Sequence, residues 1–146
     1  MIATKEPAKK VTTYDLKGSE NGFLTELFKD NKKTVFYLSC IKQGQFKGYH
    51  LHSVRAARYM CVKGKVKIIL YKLPEKQAQA LEKEEHILDS QNPERLFIPS
   101  NIATGLLNIG HDEAWLINYP DPPYDPDLKN EQVEYTEEEL QKGVVK

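Results

Sequence analysis

At 146 residues the chain suits one domain with a proper core. Its 21 Lys and Arg balance 21 Asp and Glu, so no global charge draws it to nucleic acid or to an acidic membrane. No apolar run is long enough to span a bilayer, and Met1 to Lys10 lacks the apolar centre of a signal peptide. Cys40 and Cys61 lie in apolar, strand-like sequence without zinc-site or disulfide spacing. Buried free thiols of this kind suit the cytoplasm.

Residues 1–10 read as a loose polar tail. Alternation predicts strands over 11–16 and 23–28, separated by a turn cluster at 17–22. A charged turn at 30–33 precedes a third strand over 34–41, rich in β-branched and aromatic residues. A loop at 43–47 leads into Lys47-Gly48-Tyr49-His50-Leu51-His52. Strands over 59–62 and 66–71 flank a Lys63-Gly64-Lys65 turn. The segment 74–85 is rich in helix formers but poor in apolar surface, so a short exposed helix and a hairpin tip are both open. Strands are expected again at 86–88, at 96–99 and at 114–119, the last carrying Trp115, with a strand or turn over 102–108.

Four prolines in 120–127 predict an extended arm. Thr136-Glu137-Glu138-Glu139 has the pattern of a capping box, so a short C-terminal helix should start there and end near Gly143. Many short strands separated by turn signals predict a single all-β domain over 1–146, a barrel or sandwich, with 120–146 as arm and helix.

Side chains two apart in a strand point the same way. His50 and His52 therefore share a face, with Leu51 on the other. Paired imidazoles turned into a β structure must be satisfied there or do chemistry, as metal ligands or as acid and base.

Gly44, His50, His52 and Gly64 keep the spacing of the first cupin motif, with Ala57 where that motif has glutamate. Pro99, Asn101 and Asn108 keep that of the second, with Thr104 where it has histidine. The chain thus resembles the cupin superfamily, which implies a double-stranded β-helix, or jelly-roll barrel. Two of four metal ligands are replaced, so no metal is expected. Within cupins, several segments resemble the dTDP-4-dehydrorhamnose 3,5-epimerase group. They are Glu20 to Glu26, Lys47 to His52 (against R-G-L-H-x-Q), Asn92 to Pro99, and Tyr124-Asp125-Pro126. The His-Leu-His run also resembles the R-G-x-H-A-H of the dTDP-sugar 3,4-ketoisomerase group.

The resemblance implies His50 as catalytic base, Glu26 as a nucleotide-binding acid and Lys47 in place of the arginine before the histidine. The epimerase tyrosine falls on Ile117, and Tyr119, two residues on, is a substitute; His52 and Tyr59 are further candidates for the second group. The resemblance finds no match for the C-terminal extension that gives the epimerases an aspartate partner for the base, so that partner is expected to be absent. Arg55 and Arg58 read equally as diphosphate ligands or as a solvated hairpin tip. Asn108 and Asn118 are candidate sugar ligands, although turns use Asn for their own bonds. Trp115 and Phe97 read as core, His86 and His111 as surface, and Tyr124 as a lid or a packing residue. The implied substrate is a nucleoside-diphosphate 4-keto-6-deoxy sugar, isomerised without metal or redox cofactor. A homodimer is expected, since relatives cover strand edges by pairing subunits. A non-catalytic sugar-binding cupin is the alternative of a different class.

Overall fold

The computed structural model describes residues 10–29, 35–75, 81–121, 125–129 and 131–146. The expected tail at 1–10 (all but Lys10), the turn at 30–33 (with 34), the middle of segment 74–85 and Tyr124 lie outside the described residues. Eleven strands and one helix are described: β1 (Lys10–Tyr14), β2 (Glu20–Lys29), β3 (Val35–Ile41), β4 (Phe46–His52), β5 (Ala57–Lys63), β6 (Lys65–Lys72), β7 (Glu82–Asp89), β8 (Arg95–Ile98), β9 (Ile102–Asn108), β10 (Ala114–Asn118), β11 (Gln132–Glu134) and α1 (Glu137–Gln141). They form a six-stranded sheet, β1-β2-β3-β10-β5-β8, and a five-stranded sheet, β11-β4-β9-β6-β7. Among the described residues no helix is long and apolar enough to cross a membrane.

The inner faces meet in one core, which includes Ile41, Cys61, Val66, Ile68, Leu106 and Leu116. Strand alternation supplies it: Val66, Ile68 and Leu70 are buried along one face of β6. A second cluster covers the outer face of the five-stranded sheet. There Tyr49, Leu51, Tyr71 and Ala103 pack under Tyr135 and Leu140 of the C-terminal segment. A five-residue helix cannot persist on its own. Here the Thr136 capping box is made in both directions, worth about 1 kcal/mol. Burial of Leu140 adds roughly 2 kcal/mol. The segment is therefore strapped to the sheet, and it carries β11 along the edge of β4.

The described end of segment 74–85, from Glu82, is strand and not helix. Glu82–Asp89 is a strand paired residue by residue with β6. Its charges alternate on the exposed side, where Lys67 meets Glu85 at 3.4 Å; cross-strand pairing overrides the helix propensity of Glu and Lys. Phe97, expected in the core, is 56% exposed on β8, because Ile98 takes the inward position. Trp115 is half-buried on the face of β10 opposite the core.

The strand that bears the histidines is bulged. Lys47 pairs with Leu106 and His50 with Thr104, so β4 spends one residue more than β9 between these pairs. This extra residue brings Lys47 onto the inner face with His50 and His52; strict alternation would send it outward. Gly48 makes the bulge possible, at φ +128°, with space for a Cβ only 2.6 Å from the Thr104 carbonyl oxygen. Gly48→Ala is expected to destabilise the protein by about 2 kcal/mol through strain and clash, read as a lower urea midpoint.

Candidate active site

His50 and His52 open into a cleft between the sheets, lined also by Arg55, Ala57, Tyr59, Ile98, Pro99, Ile102, Thr104 and Leu106. It is small and open to solvent: the volume reached by the centres of water-sized molecules is about 40 Å³. Ala57 and Thr104, which stand at the two replaced metal-ligand positions, face this cleft together with both histidines. The donor set does not fit a resident first-row metal. Two imidazoles are too few strong ligands, and among the described residues no three His, Cys, Asp or Glu side chains gather to add to them.

Each imidazole is backed by the strap. His50 is opposite Glu134 across the β4–β11 pair, and its Nδ1 lies 3.5 Å from Glu134 Oε1 and 3.3 Å from the Gln132 amide. The Gln132 Nε2, the nearer group, can only donate, so the tautomer of His50 is set between it and the Glu134 carboxylate. His52 Nδ1 lies 3.3 Å from Glu131 Oε2 and 2.9 Å from Arg55 Nη2. Burial pushes the pKa of His50 below its ordinary value, aided by the Lys47 charge and opposed by Glu134. Burial lowers His52 as well, aided by Arg55 and opposed by Glu131. Both rings are therefore neutral near pH 7.

Arg55 lines the cleft and is held there by Glu131. Its Nε donates to both oxygens of Glu131, at 3.1 and 3.2 Å, and its backbone N–H donates to Oε1 at 3.1 Å. Burial alone would raise the Glu131 carboxyl, but these bonds hold it below the usual range. Arg58 is outside the cleft, beside Asp121 at 3.6 Å and over the Phe97 ring at 5.0 Å. Of the two arginines read equally as diphosphate ligands or as a solvated tip, Arg55 lines the cleft and Arg58 does not.

Tyr59 does face the cleft; burial raises its hydroxyl to about 12, so it is a neutral donor. Lys47 reaches across the interior instead. Its Nζ donates to Phe23 O at 3.2 Å and to Ser39 Oγ at 3.0 Å, and burial brings it down to about 8. Glu26 pairs with Tyr37 across β2 and β3 and is not among the cleft-lining residues. Asn108 is a buried turn clamp: it donates to Ile41 O and Asp112 O and accepts from the Gly110 N–H. Asn118 accepts from the Arg58 backbone N–H, tying β10 to β5. Tyr119 is off the cleft, stacked on Phe36 with centroids 4.8 Å apart. Leu116 takes the core-facing position of β10, so Ile117 and Tyr119 do not share the histidines' cavity.

The residues that sequence reasoning missed are Glu131, Gln132 and Glu134. The aspartate-bearing extension expected to be missing has a counterpart here: the strap supplies carboxylates to both histidines. The available signal was the polar–apolar alternation of Gln132-Val133-Glu134-Tyr135 just before the capping box.

With this geometry in view, the relatives are informative. The spore coat polysaccharide biosynthesis protein SpsL of Bacillus subtilis (strain 168) is 25% identical over 117 residues, covering 77% of this chain and 78% of SpsL. The capsular polysaccharide assembling protein CapF from Staphylococcus aureus superposes with a TM-score of 0.68 at 20% identity, over 88% of this chain and 32% of CapF. This chain therefore spans about a third of CapF. The dTDP-4-dehydrorhamnose 3,5-epimerase of Bacillus anthracis str. Ames, solved with TDP and PPi bound, superposes with a TM-score of 0.62 at 14% identity, over 94% of this chain and 89% of the epimerase. These likenesses give the fold as the cupin-type double-stranded β-helix of the 3,5-epimerases, with one short C-terminal helix. A sequence profile described as the polysaccharide biosynthesis C-terminal domain matches residues 17–131, most of the chain, which therefore belongs to that family.

Proposed function

We propose that the chain is an isomerase of a nucleoside-diphosphate 4-keto-6-deoxy sugar, closest in activity to a 3,5-epimerase, with His50 as base and no cofactor. The observation that carries this reading is His50 itself: on an open cleft, its pKa lowered by burial, with Nδ1 beside Glu134 and Gln132. A C–H bond beside a ketone is acidic enough for a positioned imidazole. His50 takes the proton, the C–H electron pair forms a carbon–carbon double bond to the carbonyl carbon, and the carbonyl π pair moves onto the ketone oxygen, which gains the charge. Glu134 stabilises the imidazolium that forms. The enolate then regains a proton at the same carbon for epimerisation, or at its neighbour after an oxygen-to-oxygen shift for ketoisomerisation.

The TDP and PPi of the Bacillus anthracis epimerase support a nucleoside-diphosphate substrate. The retained His52 favours the 3,4-ketoisomerase as the second reading, since that group has a histidine pair where the epimerases have H-x-Q. The internal engagement of Lys47 and Arg55, and the outward Tyr119, favour a non-catalytic sugar-binding cupin. Incubation with dTDP-4-keto-6-deoxyglucose, followed by NMR of the sugar, separates the three. Inversion at C3 or C5 supports the epimerase and a new 3-keto sugar the ketoisomerase. Binding with no conversion of this or related keto sugars overturns the enzyme reading.

Glu134→Gln keeps the shape but removes the charge behind His50. Turnover is expected to drop roughly tenfold to a hundredfold with binding little changed, measured as kcat against KM. We also read the chain as a homodimer. Phe97 and Val62, both largely exposed, and the edge strands β1 and β8 support it; sedimentation at micromolar concentration tests it, and a monomer contradicts it.

A further inference from the structure

Inversion at a carbon needs two groups on opposite faces of the sugar ring. A base removes the proton from one face, and an acid supplies a proton to the other. A lone imidazole can only return the proton to the face it came from. His50 and His52 both belong to β4, in the five-stranded sheet. Across the cleft, the six-stranded sheet contributes Ala57 and Tyr59 of β5 and Ile98 of β8. Tyr59 faces inward with Cys61, two residues on and buried in the core. Among these three groups of the far wall, Tyr59 alone has a dissociable proton. Thr104 lies on β9, in the same sheet as His50, and the Arg55 guanidinium does not give up its proton.

We infer that Tyr59 is the catalytic acid, facing His50 across the cleft, and that Arg55 is the positioning cation that balances the charge of its phenolate. This rests on the epimerase reading. After His50 has formed the enolate, the pair on the ketone oxygen re-forms the carbonyl. The carbon–carbon π pair then takes the Tyr59 proton on the opposite face, and the O–H pair stays behind on the phenol oxygen. The His50 imidazolium releases its proton to water and the phenolate takes one from water, so no proton is consumed. Burial pushes the Tyr59 hydroxyl up to about 12, and the Arg55 charge opposes that rise. The acid is therefore loaded at neutral pH, and its anion has a partner. Glu131 accepts from Arg55 Nε through both oxygens, so the cation is in place before the reaction begins.

The test uses the full chain with dTDP-4-keto-6-deoxyglucose in heavy water, with deuterium uptake and configuration at C3 and C5 read separately by NMR. Wild type should give uptake with inversion. In Tyr59→Phe, inversion should fall roughly a hundredfold to ten-thousandfold, while uptake continues with retained configuration. His50 is more than a third exposed, so its ring exchanges with the solvent and returns deuterium to the original face. Arg55→Met should slow inversion more than uptake, with partial recovery in Arg55→Lys. Inversion in Tyr59→Phe within about tenfold of wild type overturns the role of Tyr59, as does loss of uptake and inversion together with the sugar still bound. Equal losses of uptake and inversion in Arg55→Met contradict the role of Arg55. Wild-type uptake that ends in a 3-keto sugar without inversion removes the need for an opposite acid, and overturns this assignment alone. Sugar bound by the wild type with neither uptake nor inversion overturns the isomerase reading, and the assignment with it.

Discussion

His50→Asn is expected to reduce turnover of the keto sugar by roughly a hundredfold to ten-thousandfold, the share of a barrier that a positioned general base supplies. Asparagine keeps a polar amide near Glu134 and Gln132 but cannot take a proton from carbon. His50 is more than a third exposed, so the substitution leaves no buried void, and thermal unfolding should stay within a few degrees of wild type. Residual activity within tenfold of wild type would mean that another group is the base. The pH dependence follows from the same ring. The folded pKa of His50 lies below 6.5 because burial disfavours the charge, so activity should hold from pH 7.5 down through 6.5 and fall only below it. The depressed pKa values of His50 and His52 also make stability fall as the pH drops through 6.5, where the unfolded chain takes up protons first.

Lys47→Met is expected to change the pH dependence of stability more than any other single substitution in the interior. Lys47 is 8% exposed, with its pKa brought from 10.5 to about 8 by burial. That shift corresponds to a cost of roughly 3 kcal/mol at neutral pH. Below pH 8 the folded and unfolded chains both carry the charge, and the cost is constant. Between about pH 8 and 10.5 the folded chain gives up its proton while the unfolded chain keeps it, so this group makes stability rise with pH. Methionine removes the cost and the rise together, and leaves Phe23 O without its Lys47 donor, a loss of about 1–3 kcal/mol. Between pH 7.5 and 10, urea unfolding of wild type should therefore gain about 2 kcal/mol relative to Lys47→Met. Parallel stability curves would show that the amine is not confined between the sheets.

What the sequence made legible follows from local physics. β3 and β6 are apolar and β-branched enough to read as strands, and the two-residue spacing of His50 and His52 fixes their common face. The capping box at Thr136 reads directly because both partners are four residues apart at most. The rest depends on tertiary partners. β11 has three residues with one apolar member, and becomes a strand only because β4 pairs with it and Tyr135 is buried beyond it. Lys47 shares the histidine face through a bulge that shifts the period by one residue. The hold on Arg55 is hidden until Glu131, 76 residues away in the chain, is placed against it. The face of Tyr119 was assigned from the epimerase pattern, whereas burial of Leu116 decides it.

The most direct measurement is solvent deuterium uptake. The protein is incubated with dTDP-4-keto-6-deoxyglucose in heavy water, and the C3 and C5 proton signals of the sugar are followed by NMR. Signal at C3, C5 or both should be lost faster than without protein, and this loss should be abolished in His50→Asn. Uptake at both carbons with inversion marks a double epimerase, and uptake at C3 alone a single epimerase or the first step of ketoisomerisation. No uptake above background, with the sugar nonetheless bound, would contradict the account and leave a sugar-binding cupin.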